Sequence, residues 1–156
     1  MNHKLKTKVL AYVVRKNNKG WELLVFEHQD IPEAGIQVPG GTVESYDCDL
    51  SSAVLRELKE EAGIENATVL TEILSEIYYH KIKKEFQKRH FFIVLTDIKK
   101  DKWSHTVQSS GADKGLQFNY FWKELKSVSY LAGDQHIAIR HVIDFLANSE
   151  PMIKHT

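Results

Sequence analysis

Gly40-Gly41-Thr42-Val43-Glu44, a polar connection from Ser45 to Asp49, and then Arg56-Glu57-Leu58-Lys59-Glu60-Glu61-Ala62-Gly63-Ile64 are the residues on which the reading of this chain turns. The second part has the spacing of a helix over roughly 50–62. Asp49 is placed to accept a hydrogen bond from an early backbone N–H, and Gly63 to end the helix as its C′ residue. At 3.6 residues per turn, Glu57, Glu60 and Glu61 share one face, while Val54, Leu55, Leu58 and Ala62 fall on another that can pack inward. Like charges at such spacing oppose a helix by a few tenths of a kcal/mol per pair, so a compensating cation is expected. A hard divalent ion with oxygen ligands fits that role. The preceding glycines allow positive φ and close approach of the backbone to a ligand.

Upstream, Lys8–Arg15 and Trp21–His28 read as two strands joined by the turn Asn17-Asn18-Lys19-Gly20. A loop over 29–35 leads to a short strand at 36–38, which Pro39-Gly40-Gly41 breaks. Downstream, 67–79 reads as β, and the apolar run 90–96 reads as a strand buried on both faces, so helices are expected on both sides of the sheet. Between them, 80–89 is a connection carrying Lys81, Lys83, Lys84, Lys88 and Arg89. Such a charge run usually faces water, but beside an anionic metal site it could bind phosphates, with Arg89 the first candidate. Residues 99–115 read as a long polar loop and 116–125 as an aromatic strand with Phe118, Tyr120 and Trp122 on one side, a pattern typical of core. An amphipathic helix is expected over 134–147, capped near Gly133-Asp134, and 149–156 as a flexible tail.

The 156 residues fit one domain. Lys and Arg number 21, as do Asp and Glu, so no basic field argues for nucleic-acid binding. Cys48 is the one cysteine, which excludes an internal disulfide and a multi-cysteine zinc cage. With no signal-peptide pattern and no run of about 18 apolar residues, a cytoplasmic location without a membrane partner is expected.

The glycine–carboxylate stretch resembles the Nudix box, Gly-x5-Glu-x7-Arg-Glu-U-x-Glu-Glu-x-Gly-U with U aliphatic. Arg56, Glu57, Leu58, Glu60, Glu61, Gly63 and Ile64 match in register. The first half departs: counting from Gly41 puts Asp47 at the first Glu, and eight residues rather than seven separate Asp47 from Arg56. Either Asp47 or Asp49 replaces the missing Glu.

The resemblance implies a single α/β domain over 1–156, an α/β/α sandwich around a mixed β-sheet. It implies Mg²⁺, or Mn²⁺, held by Glu57, Glu60, Glu61 and the Gly40 carbonyl. Glu57, Arg56 and Glu60 are its catalytic candidates, with Arg56 orienting a carboxylate through a salt bridge. The implied reaction is hydrolysis of a diphosphate linkage in a nucleoside diphosphate linked to a moiety X, a nucleoside triphosphate among the candidates. A dinucleoside polyphosphate or nucleotide-sugar hydrolase, or a nucleotide-binding regulatory domain with little turnover, is the alternative. The implied partner is a small-molecule nucleotide, with no stable nucleic-acid partner. Asp101, Asp113, Glu124 and His105 are all eligible as a base outside the box.

Overall fold

The computed structural model describes residues 5–109, 111 and 113–153, with side chains described to 149. Strands β1 (Lys6–Asn17) and β2 (Gly20–His28) form the expected hairpin, paired from Val14↔Leu23 to Asn17↔Gly20. The remaining strands are β3 (Gly40–Thr42), β4 (Thr68–His80), β5 (Glu85–Leu95), β6 (Lys102–Thr106) and β7 (Gln117–Glu124). The sheet runs β4-β5-β1-β2-β7-β6, with β3 also on β1. The pairing of β1 with β5 is parallel and the other strand pairs are antiparallel, which makes the sheet mixed.

Helices cover both faces. Against one, α1 (Leu50–Ala62) packs Ala53, Val54, Leu58 and Ala62 onto Val9, Ala11, Val13, Phe92, Val94, Phe118 and Tyr120. Against the other, α2 (Ile139–Ile153) packs Ile139, Val142 and Leu146 onto Tyr12, Val14, Leu23, Val25, Phe91 and Ile93. Alternation along each strand supplies both cores, since successive side chains point to opposite faces. This is the expected α/β/α sandwich, and the aromatic stripe of β7 is core, with Phe118 and Tyr120 buried.

Several boundaries differ from the sequence reading. No strand forms over 36–38 beyond a single bridge, Phe26↔Gln37. The glycines expected to break it instead form β3, because their bare backbone lies flat on β1: a Cβ at Gly40 would come within 2.4 Å of the Val9 carbonyl oxygen. The basic connection shrinks to the turn 81–84, with His80 ending β4 and 85–89 lying in β5. β6 forms inside the expected loop, its five residues too few to show a periodic pattern. The C-terminal helix begins at Ile139 rather than near 134, because Gly133 and Asp134 take left-handed φ values of 63° and 58°. Two such residues in succession cannot continue a right-handed helix. The expected tail is helical as far as Ile153, and 154–156 lie outside the described residues.

Candidate active site

α1 carries the acidic face as the spacing predicts. Asp49 caps it, its carboxylate accepting from the Ser52 N–H at 2.8 Å, and Gly63 ends it with φ 71°. Its C-terminal carbonyls are then tied to the sheet. Tyr120 Oη donates to the Glu61 carbonyl at 3.0 Å, Trp103 Nε1 to the Ala62 carbonyl at 2.9 Å, and the Gln108 N–H to the Glu60 carbonyl at 3.0 Å. His105 Nε2 lies 3.0 Å from that Glu60 carbonyl and its ring against Gly63. These contacts set the axial position of Glu60 and Glu61 and make His105 a helix-end contact rather than a base candidate.

One expectation is corrected: the acidic face is not separate from the buried one. Glu57 and Glu61 are each only 6% exposed, while Leu55, expected inside, is 41% exposed. The helix is rotated so that its carboxylates meet β3. Val9↔Gly41 is the middle pair of that ladder, flanked by bonds from Ala11 N–H to Pro39 and from Val43 N–H to Thr7. Antiparallel alternation turns the polar groups of Gly40 and Thr42 to the free edge. There the Gly40 N–H donates to Glu61 Oε1 at 3.2 Å, and the Thr42 carbonyl accepts from Arg56 Nη2 at 2.9 Å. The Gly40 carbonyl, the backbone ligand the resemblance implies, shares that edge. Glu57 lies over Gly41, where an added Cβ would come within 2.1 Å of its carboxylate carbon.

Arg56 organises the cluster. Its Nη1 donates to Glu57 at 3.0 Å and to Glu60 at 3.1 Å. Asp47 grips it from behind in a two-point pair, accepting from Nε and Nη2 at 2.8 Å each. The two candidate aspartates are thereby told apart by their partners: Asp47 meets Arg56, while Asp49 is the helix cap. The hydrogen bonds from Arg56 hold the Asp47 carboxyl below its usual range.

Burial pushes Glu57 up to about 7 against the pull of Arg56, and burial together with the Glu57 charge pushes Glu61 well above the usual carboxylate range. Among the described residues no three acidic, His or Cys side chains already form a metal cage. The carboxylates are instead spread over the nearest donors, Glu57 and Glu60 on Arg56 and Glu61 on Gly40. The donor set nevertheless suits a hard divalent ion: three carboxylates and an edge carbonyl, two of the carboxylates buried at a cost that a dication would relieve.

Arg89 is not brought to this cluster. Its side chain projects on the α2 face and is 3% exposed. The guanidinium pairs with Glu76, Nε at 3.1 Å and Nη2 closer still, donates through Nη1 to the Gly133 carbonyl at 2.7 Å, and stacks on Tyr78 at 3.8 Å. Its phosphate-binding candidacy is withdrawn, because these contacts make it a buried brace for the Gly133-Asp134 turn. Asp101 is bound to Arg15 at 2.7 Å, and Glu124 lies opposite Glu22 on β2. Asp113 differs: its charge acts on Glu61, Lys8 and His28 alike.

Two further residues escape the sequence reading. Lys8, on β1 opposite Thr42, donates to Thr42 Oγ1 at 2.6 Å. A lysine at a strand start normally reads as solvated, so nothing singles it out. His28 has a buried Nδ1 without a partner among the described residues, and its ring meets Phe118 at 4.5 Å.

The comparisons agree with this architecture. The NUDIX domain profile matches residues 4–144. Among solved structures, a Caenorhabditis elegans Ap4A hydrolase binary complex superposes with TM-score 0.69 at 22% identity, covering 92% of this chain and 99% of that one. The NUDIX domain of Shewanella oneidensis NrtR, complexed with ADP ribose, gives 0.67 at 17%, with 92% and 89% covered. A MutT NUDIX hydrolase from Burkholderia pseudomallei gives 0.62 at 19%, with 89% and 98% covered. No curated protein matches by sequence. The chain belongs to the Nudix family, and the enzyme class this defines is the Nudix pyrophosphohydrolase. No helix among the described residues is long and apolar enough to cross a membrane.

Proposed function

We propose that this chain is a Mg²⁺-dependent hydrolase of a diphosphate linkage in a nucleoside diphosphate joined to X, with nucleoside triphosphates the first candidates. The observation that carries this reading is the pair of buried carboxylates, Glu57 and Glu61, pressed against the free edge of β3 beside Arg56. Glu57, Glu60 and Glu61, with the Gly40 carbonyl, would hold Mg²⁺ or Mn²⁺. When bound, such an ion neutralises charge on nonbridging phosphate oxygens and lowers the pKa of water.

The chain's own residues do the rest. Arg56, anchored by Asp47, fixes Glu57 and Glu60 relative to each other, so a reacting phosphate meets a preset array. Glu57, held by Arg56 over the edge of β3, is the box carboxylate proposed to take a proton from the attacking water. Asp113 is the alternative base, as the eligible loop carboxylate whose charge reaches Glu61. A cytoplasmic location belongs to the same reading.

Likeness to the Ap4A hydrolase over 99% of its length supports a dinucleoside polyphosphate as the second substrate class. The test is a phosphate-release screen with Mg²⁺ against nucleoside triphosphates, dinucleoside polyphosphates, ADP-ribose, nucleotide sugars and capped or triphosphorylated RNA. Turnover of one class is expected, falling by orders of magnitude in folded Glu60→Gln and Glu61→Gln variants. Binding without hydrolysis across the panel would favour the regulatory alternative, and normal Mg²⁺-dependent rates in both variants would overturn the site assignment.

A further inference from the structure

We propose that Lys8 is a phosphate-binding residue of this site, gripping the anionic chain of the substrate at the free edge of β3 from the face opposite α1. The placement follows from strand alternation. Leu10 and Tyr12 point into the α2-side core, so Lys8, two residues before Leu10, projects on that same face. Its partner across the ladder is Thr42, next to Gly41, over which Glu57 lies on the α1 face. One three-residue strand is thus flanked by carboxylates on one side and an ammonium on the other.

The ammonium is poorly compensated where it stands. It carries three donors, and among the described residues its one hydrogen bond is to the neutral Thr42 hydroxyl. No carboxylate forms an ion pair with it among the described residues. Burial and the like charges of Lys83 and Lys6 push its proton affinity down, with Glu85 and Asp113 opposing more weakly. Its charge in turn reaches both Glu57 and Glu61. Lys8 and Lys6 thus lie near the start of β1 and feel Lys83 of the β4–β5 turn, Lys6 being paired with Glu85 at 3.4 Å, beside the acidic cluster proposed to hold a dication. A polyphosphate chain bridging lysines and bound cation would satisfy both at once.

The inference deepens the hydrolase reading and takes from it only the kind of anion, so the two are tested separately. The probe is inorganic tripolyphosphate, titrated calorimetrically into the intact protein with and without Mg²⁺. Wild-type protein is expected to bind it, Lys8→Met to bind at least about tenfold more weakly, and Lys8→Arg to retain most of the affinity. Thermal melts identify any variant that has lost its fold, and Lys83→Met, at an exposed turn, supplies a second test that does not touch the core. On a hydrolysed nucleotide, Lys8→Met is expected to raise KM about tenfold with kcat changed much less.

Equal affinity in wild type and Lys8→Met, equal loss in folded Lys8→Met and Lys8→Arg, or no tripolyphosphate binding by wild type would each overturn the proposal. Lys8-dependent binding in a protein that hydrolyses no nucleotide would uphold it while removing the hydrolase reading.

Discussion

Replacing Glu57 with glutamine should make the metal-free protein more stable above neutral pH. In the folded chain the Glu57 carboxyl is raised from 4.5 to about 7, chiefly by burial. The folded state therefore holds a proton that the unfolded state has released across that window, and stability falls as pH rises through it. The contribution is complete below pH 4.5 and lost above about 7. If fully expressed, the shift amounts to on the order of 3 kcal/mol. Glu61 is shifted in the same direction, partly by the Glu57 charge, so removing that charge relaxes both groups. Glu57→Gln keeps the volume and an acceptor for Arg56 while abolishing the ionisation.

Urea denaturation at intervals from pH 5 to 9 reads the effect. The wild type should lose stability along this series and the variant should lose much less, their curves separating above pH 7. Mg²⁺ should reverse the order, stabilising the wild type by mass action and more strongly at high pH, because a ligand carboxylate must first release its proton. Parallel curves for the two proteins, or Mg²⁺ stabilisation independent of pH, would refute the view that Glu57 is buried under strain at a cation site.

The two aspartates should separate cleanly. Asp47→Asn breaks the two-point grip on Arg56 and should lower turnover by about 10–100-fold, as loss of a supporting contact does. Asp49→Ala should cost about 1 kcal/mol of stability as a lost helix cap with turnover nearly intact, measured by urea melts and initial rates. Arg89→Met should destabilise by about 3–5 kcal/mol, since it strands Glu76 and the Gly133 carbonyl, and should leave KM unchanged in the folded fraction. A rise in KM without loss of stability would return Arg89 to the substrate site.

The α1 helix was legible in the chain because every local signal agreed: the Asp49 cap, the Gly63 stop, and carboxylates at i, i+3 and i+4. The hairpin, the two long strands after the helix and the aromatic core strand were legible from long runs of aliphatic, β-branched and aromatic residues bounded by turn signals. β6 and β3 were not, because five residues and three residues carry no period, and a glycine pair that breaks most strands forms one here by lying flat on β1.

What the chain by itself determined was the inventory: the family, an acidic helix face, and a glycine corner ahead of it. What only the tertiary structure decided was how the helix is rotated, and with it which charges lose water. Spacing along a helix specifies relative angle but not which way the helix faces, so the sequence could not say that Glu57 and Glu61 are buried while Leu55 is exposed. Nor could it choose Asp47 over Asp49, move Arg89 to the opposite face of the sheet, or bring Lys8 to the strand that Glu57 covers. The last two depend on pairs of residues far apart in sequence, brought together by strand register and packing rather than by local pattern, and the first on how the loop before α1 folds back onto Arg56.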